Sequence, residues 1–120
     1  MNKSLIKFIS NIFPGLVASY AYRQVTSPQV RKLREHELAV LDRANKEILA
    51  FKGFDIQLYH WAGGDKRVLL IHGWEGQAGN FSDFIDPLLA KGFSIFAFDA
   101  PSHGFSSKGS TSMFEFIELV

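Results

Sequence analysis

Along the first 26 residues, apolar side chains recur at three- and four-residue intervals: Leu5, Phe8, Ile9, Ile12, Phe13, Leu16, Val17 and Tyr20. That spacing draws one stripe on an α-helix, and Pro14-Gly15 predicts a bend within it. Packing on the rest of the domain is the default expectation for such a stripe, and contact with a membrane surface is the alternative. Thr26-Ser27-Pro28 signals a turn. Leu38, Leu41 and Ala44 then predict a second helix, starting anywhere from Pro28 to Arg34.

From Glu47 the period changes from 3.6 to 2. Glu47 to Phe51 reads as a strand, and Lys52-Gly53 as a two-residue turn in which glycine adopts positive φ at little cost. Phe54, Ile56 and Leu58 alternate with Asp55, Gln57 and Tyr59, which predicts a half-buried strand with one apolar face. Ala62-Gly63-Gly64-Asp65 ends this hairpin as a loop. Arg67 to Ile71 and Phe93 to Phe98 are apolar on both faces, the pattern of strands covered by helices on either side.

Between those strands, Asn80 to Lys91 predicts a helix with Phe81, Phe84, Ile85, Leu88 and Leu89 as its buried stripe. Pro87 bends it and Gly92 supplies its left-handed cap. Ser112 and Glu115 form a capping box for a last helix, with Met113, Phe116, Ile117 and Val120 on one face. The chain stops in mid-helix, which reads as a truncation. The order is helix, helix, hairpin, then a βαβ crossover: an α/β fold whose antiparallel hairpin joins a parallel pair. Residues 1–45 form an N-terminal helical segment, and 46–120 form the incomplete core.

Composition narrows the partners. A formal net charge of +1 over 120 residues gives no reason to expect nucleic acid. The absence of cysteine excludes disulfides, thiolate nucleophiles and sulfur-ligated zinc, and fits a cytoplasmic, reducing compartment. Charge is unevenly placed, however. Lys3, Lys7, Arg23, Arg31, Lys32 and Arg34 all precede the first acid, Glu35, so the N-terminal segment allows weak contact with an anionic membrane surface. The longest uncharged run, Phe8 to Tyr22, falls short of the ~20 residues a membrane span needs.

Chemistry in such sheets collects beyond the carboxyl ends of the strands. Two loops lie there: Ile71 to Asn80, and Asp99 to Gly109. The first carries glycines at 73, 76 and 79 and runs into a helix N-terminus, a setting for a phosphate or a developing oxyanion. A dinucleotide fingerprint requires G-x-G-x-x-G, and this loop lacks the tight first pair, although Asp99 stands where the ribose acid belongs. His72, Asp99 and His103 are candidate metal ligands, but without ligand-like spacing they read as loop anchors.

Val68-Leu-Leu-Ile-His72-Gly73-Trp74-Glu75-Gly76 resembles the third strand and H-G-x-x-G oxyanion loop of α/β-hydrolases. Asp99-Ala-Pro-Ser-His103-Gly104-Phe-Ser106 resembles that family's D-x-P-G-H-G-x-S loop after strand 4, with Ser102 in place of the usual glycine. The resemblance covers about residues 46 to 120 and not the preceding helices. It implies that the backbone N–H of Trp74 is one oxyanion donor. It also implies that Gly73 lets the loop turn, that Gly76 keeps it close-packed, and that His72, Asp99 and His103 support it. The nucleophile, acid and base follow later strands in this family, and no G-x-S-x-G occurs in the sequence. The parent is thus expected to be a serine hydrolase of a carboxylic ester or related acyl bond in a small-molecule substrate, needing no cofactor and no metal. The 120 residues alone are expected to be inactive. An Asp-nucleophile dehalogenase or epoxide hydrolase and a non-catalytic binding module are the alternatives. In the family's sheet order, strand 3 is flanked by strand 5, so without that neighbour Val68 to Ile71 becomes an aggregation-prone edge.

Overall fold

The computed structural model describes residues 2–120. Two helices come first, α1 (Lys3–Ile12) and α2 (Pro14–Thr26), followed by α3 (Glu35–Asp42). The strands β1 (Asn45–Phe51) and β2 (Phe54–Trp61) form the expected antiparallel hairpin, with Phe51 opposite Phe54. Lys52 and Gly53 both take positive φ (46° and 81°) at its turn. Next come β3 (Lys66–Leu70), α4 (Ser82–Ala90), β4 (Phe93–Phe98) and α5 (Met113–Leu119).

The sheet order is β1-β2-β4-β3, with β3 and β4 parallel and the other pairs antiparallel. This is the α/β architecture the pattern predicts, and β4 occupies the middle. Two apolar clusters lie on opposite faces. Leu41 of α3, Tyr59, Trp61, Ile85 and Ile95 fill one; Phe54, Ile56, Phe98, Ala100 and Phe116 fill the other. β2 therefore buries its first half on one face and its second half on the other. Tyr59, which simple alternation puts on a polar face, is only 2% exposed.

Several expectations need correction. The N-terminal stripe lies on two helices, because the backbone of Phe13 (φ −129°, ψ 61°) leaves helical geometry just before Pro14. A residue preceding proline is driven out of the α region by the ring, which converts the expected bend into a break. α1 does not pack on the domain, and α2 does so only at its far end. α1 buries no residue, and α2 buries only Thr26 at its far end. The molecule is accordingly long, 60 × 29 × 22 Å.

At β3 one face is open, with Leu69 49% exposed and Ile71 and Phe96 also exposed. Phe84 is exposed too, so the buried stripe of α4 narrows to Ile85 with Leu88 and Leu89 beside it. In α5, Phe116 and Leu119 face the core while Met113 and Ile117 do not. Its capping differs as well: Ser112 makes no side-chain cap, and Glu115 instead accepts from the Thr111 hydroxyl at 2.6 Å.

Candidate functional site

Both glycine-punctuated loops leave the same end of the parallel pair, and they are stitched together by side chains that each lends to the other. Nε2 of His72 accepts the amide of Ala100 at 3.0 Å. Nε2 of His103 accepts the amide of Glu75 at 2.9 Å. A carboxylate oxygen of Asp99 accepts the amide of Ala78 at 2.8 Å. In each imidazole the other nitrogen, Nδ1, lies 2.8 Å from a carbonyl, of Gly73 for His72 and of Pro101 for His103. A carbonyl only accepts and an amide only donates, so both rings are held as neutral tautomers carrying the proton on Nδ1.

Burial agrees with that protonation. It pushes the pKa of both imidazoles below the ordinary value, because desolvation penalises the cation more than the nearby Gly73 and Pro101 carbonyls favour it. For His103 the neighbouring His72 and Lys108 lower it further.

Asp99, 0% exposed, organises the second loop. Besides Ala78 it accepts from the Tyr59 hydroxyl (2.8 Å) and the Phe105 amide (2.9 Å). Buried carboxylate oxygens left without donors are costly, and these three bonds satisfy them. Burial first, and then the adjacent carboxylate, push the Tyr59 phenol well above its ordinary range, so it stays a donor. With three internal partners, Asp99 is committed to the loop and is not free to hold a ribose. The ring nitrogens of His72 and His103 are engaged in the same way.

The backbone between these anchors is strained at two non-glycine residues. Glu75 (φ 64°) and Ser102 (φ 63°) adopt left-handed geometry. The turn in the first loop therefore falls at Glu75, not at Gly73, where φ is not positive. Gly76 is close-packed, since a Cβ there would stand 3.0 Å from the Gly73 carbonyl. Ser102, standing where the family pattern has glycine, offsets its strain with its hydroxyl, which accepts the Gly109 amide at 2.7 Å and donates to the Gly109 carbonyl. Gly104 is a true requirement. Its φ is 49°, and a Cβ would lie 2.4 Å from the Asp99 carboxylate.

Amid this bonding, the amide of Trp74 donates to no group among the described residues, whereas Glu75, Gly76, Gln77 and Ala78 all donate theirs. Trp74 itself is half-buried, its ring packed edge-on to His103 at 5.1 Å. The rings of His72, His103 and Phe116 pack on one another next to the Trp74 indole.

Three contributors escaped the sequence pattern. Residues 27–34 form no helix or strand between α2 and α3, and they brace the first loop. The Gln29 amide donates to Glu75 Oε1 at 3.0 Å, and Gln77 Nε2 donates to the Arg31 carbonyl at 2.5 Å. Arg31 also pairs with the buried Glu37, at 2.8 and 3.1 Å, and Glu37 accepts the Arg34 amide at 2.7 Å. These bonds lower the Glu37 pKa to about 2, the Arg31 hydrogen bond contributing most. Tyr59 is the third. Its signal was an aromatic pair two residues apart, Tyr59 and Trp61, on a face otherwise read as polar.

Comparison with known proteins bears on the fold. Residues 66–120 match the family model described as the alpha/beta hydrolase fold. No curated protein matches the chain. Among solved structures, the thioesterase domain from the curacin biosynthetic pathway is 31% identical with a TM-score of 0.57, over 63% of this chain and 29% of that one. A membrane phospholipase A described as a bacterial virulence factor is 22% identical with a TM-score of 0.48, over 88% of this chain and 31% of that one. A CIB-like hydrolase from Thermoplasma acidophilum is 17% identical with a TM-score of 0.45, over 55% and 34%. The chain therefore spans about a third or less of the structures it resembles. The family match over residues 66–120, the sheet order and the thioesterase likeness agree on the α/β-hydrolase fold for the core of this chain.

Proposed function

We propose that the loop from His72 to Gly79 is one side of the oxyanion hole of a serine hydrolase, and that the Trp74 amide is its donor. The observation that carries this reading is the unpartnered Trp74 amide at the carboxyl end of β3, followed by four amides, Glu75 to Ala78, that are all committed. Acyl transfer passes through a tetrahedral intermediate whose oxygen carries a full negative charge. A backbone donor fixed beforehand stabilises that charge with no reorganisation during the reaction. The bonds from His103, Asp99 and His72 fix it, and both imidazoles are neutral, so neither ring is a competing cation.

The substrate class is a carboxylic ester or thioester. The 31% identity to a thioesterase domain supports an acyl bond over a haloalkane or an epoxide. No G-x-S-x-G stands in the 120 residues, so the serine nucleophile, the acid and the base of this reading lie outside them.

The test substitutes the donor in the polypeptide that carries these residues naturally. Trp74→Pro deletes the N–H, and Trp74→Phe keeps it. The proline variant is expected to lose on the order of 10²-fold in kcat on a p-nitrophenyl or thioester substrate, with the phenylalanine variant within a few-fold of the parent. Equal kcat in the proline variant would overturn the assignment. The 120-residue chain alone is expected to turn over neither substrate, and turnover abolished by a serine-directed phosphonate in that chain would contradict the placement of the nucleophile.

A further inference from the structure

α1 and α2 expose a continuous apolar surface that nothing in the molecule covers. Phe8 is 62% exposed and Leu16 68%, and Leu5, Ile12, Phe13 and Tyr20 are exposed with them. Where the two helices meet they enclose an open groove of about 440 Å³, lined by Ile6, Ile9, Leu16, Val17, Tyr20 and Ala21, with almost no polar surface. The segregation on α1 is complete. At 100° per residue, Leu5, Ile6, Phe8, Ile9 and Ile12 fall on one side, and Lys3, Ser4, Lys7, Ser10 and Asn11 on the other.

We propose that this helical pair is an interfacial anchor that lies on an anionic lipid surface, its apolar side among the acyl chains and its lysines at the headgroups. Charge selects that occupant. The helical pair itself, residues 3–26, holds three basic side chains, Lys3, Lys7 and Arg23, and no acidic one. A second copy would bring a surface of the same sign against this one, whereas anionic headgroups complement it. The core of the same molecule is not the occupant, because α1 buries no residue against it. Length fixes the orientation. Ten residues of α1 reach ~15 Å and cannot cross a hydrocarbon core of ~30 Å. No described helix is long and apolar enough to cross a membrane. The pair lies in the plane of the interface, where amphipathic helices with lysine on the polar side bind.

Flotation of the 120-residue chain with vesicles tests this directly, since aggregates do not float. One set of vesicles is phosphatidylcholine alone, and the other contains one-third phosphatidylserine. Binding is expected on the anionic vesicles, weakening as sodium chloride rises from 0.1 to 0.5 M. Phe8→Asp with Leu16→Asp should reduce the partition coefficient at least tenfold. Lys3→Glu with Lys7→Glu should reduce it about fivefold or more per charge. Light scattering and thermal melts without lipid complete the test. The proposal is overturned if the chain fails to float with anionic vesicles, or if the aspartate pair floats as well as the parent. It is equally overturned if that pair turns a lipid-free oligomer into a monomer, which makes the occupant a second copy, or lowers the melting temperature by several degrees, which makes it the chain's own core.

Discussion

The two ends of this chain invert the usual relation between polarity and burial. In the helical arm, residues 3–26, phenylalanine, leucine and isoleucine stand in solvent. In the two loops beyond β3 and β4, a carboxylate, two imidazoles and three hydroxyls are buried. The loops resolve the conflict internally. Among the described residues no buried side-chain nitrogen or oxygen lacks a hydrogen-bond partner. The arm resolves nothing internally, and its apolar surface is left for an external partner. Polar burial is thus the mark of a rigid scaffold and apolar exposure the mark of a contact surface.

The contrast is tested hardest at Asp99. Replacing it with alanine strands the Tyr59 hydroxyl and the Ala78 amide in a buried setting, and the Phe105 amide in a part-buried one. Each orphaned donor costs ~1–3 kcal/mol, so Asp99→Ala should destabilise by ~4 kcal/mol in urea titrations. Asp99→Asn keeps acceptor capacity and should cost about half as much. A loss under 1 kcal/mol for alanine would show that the loops are not held from this residue.

Gly104→Ala comes next. Its Cβ would press on the Asp99 carboxylate at 2.4 Å while forcing alanine to φ 49°. Strain and clash together predict ~2–3 kcal/mol by the same titration. By contrast, Gly92→Ala meets nothing within 4 Å and bears only the penalty of its positive φ (85°), ~1 kcal/mol. Equal losses at the two glycines would remove Asp99 from the explanation.

How much of this was readable beforehand follows from sequence distance. The hairpin turn at Lys52-Gly53, the left-handed cap at Gly92 and the parallel pair are set by local pattern, and all are where the pattern puts them. The residues gathered at the loops were legible as motifs, but not their exchange of bonds, because Ala100 and His72 stand 28 positions apart. Periodicity carries no information at that range. The brace from Gln29 to Glu75 spans 46 positions and comes from a segment with no regular period at all. Tyr59 was misplaced because alternation assumes one buried face, whereas β2 is covered on opposite faces at its two ends. The arm was misread for a plainer reason: an amphipathic stripe states that a helix needs a partner without stating which.

Acid should separate the two regions at a smaller magnitude. The imidazoles of His72 and His103 have folded pKa values below the ordinary 6.5. Below pH 6.5 the unfolded chain therefore binds protons that the folded chain refuses, and stability falls as pH falls. Glu37 adds a second loss between its ordinary 4.5 and about 2, where the folded carboxylate stays charged and the unfolded one is protonated. Urea midpoints should thus decline from pH 7.5 to 5.5 and again below pH 4.5. A flat profile over the first interval would mean that the imidazoles do not hold the loops as neutral acceptors.

The smallest effect is expected in the arm, and its smallness is the point. Phe8→Asp and Leu16→Asp alter side chains that make no buried contact, so no desolvated neighbour is exposed and no cavity is left. Their helices each lose little propensity, since aspartate costs only a few tenths of a kcal/mol relative to phenylalanine or leucine in an exposed helical position. Both variants should stay within ~0.5 kcal/mol of the parent in urea, although each replaces a large apolar residue with a charge. The same substitution at Ile85, 1% exposed against β4, would bury an unpaired carboxylate and cost ~4 kcal/mol or more. If the arm variants instead lost as much as Ile85→Asp, the exposed stripe would have to be packed on the domain in solution, and the separation of contact surface from scaffold would collapse.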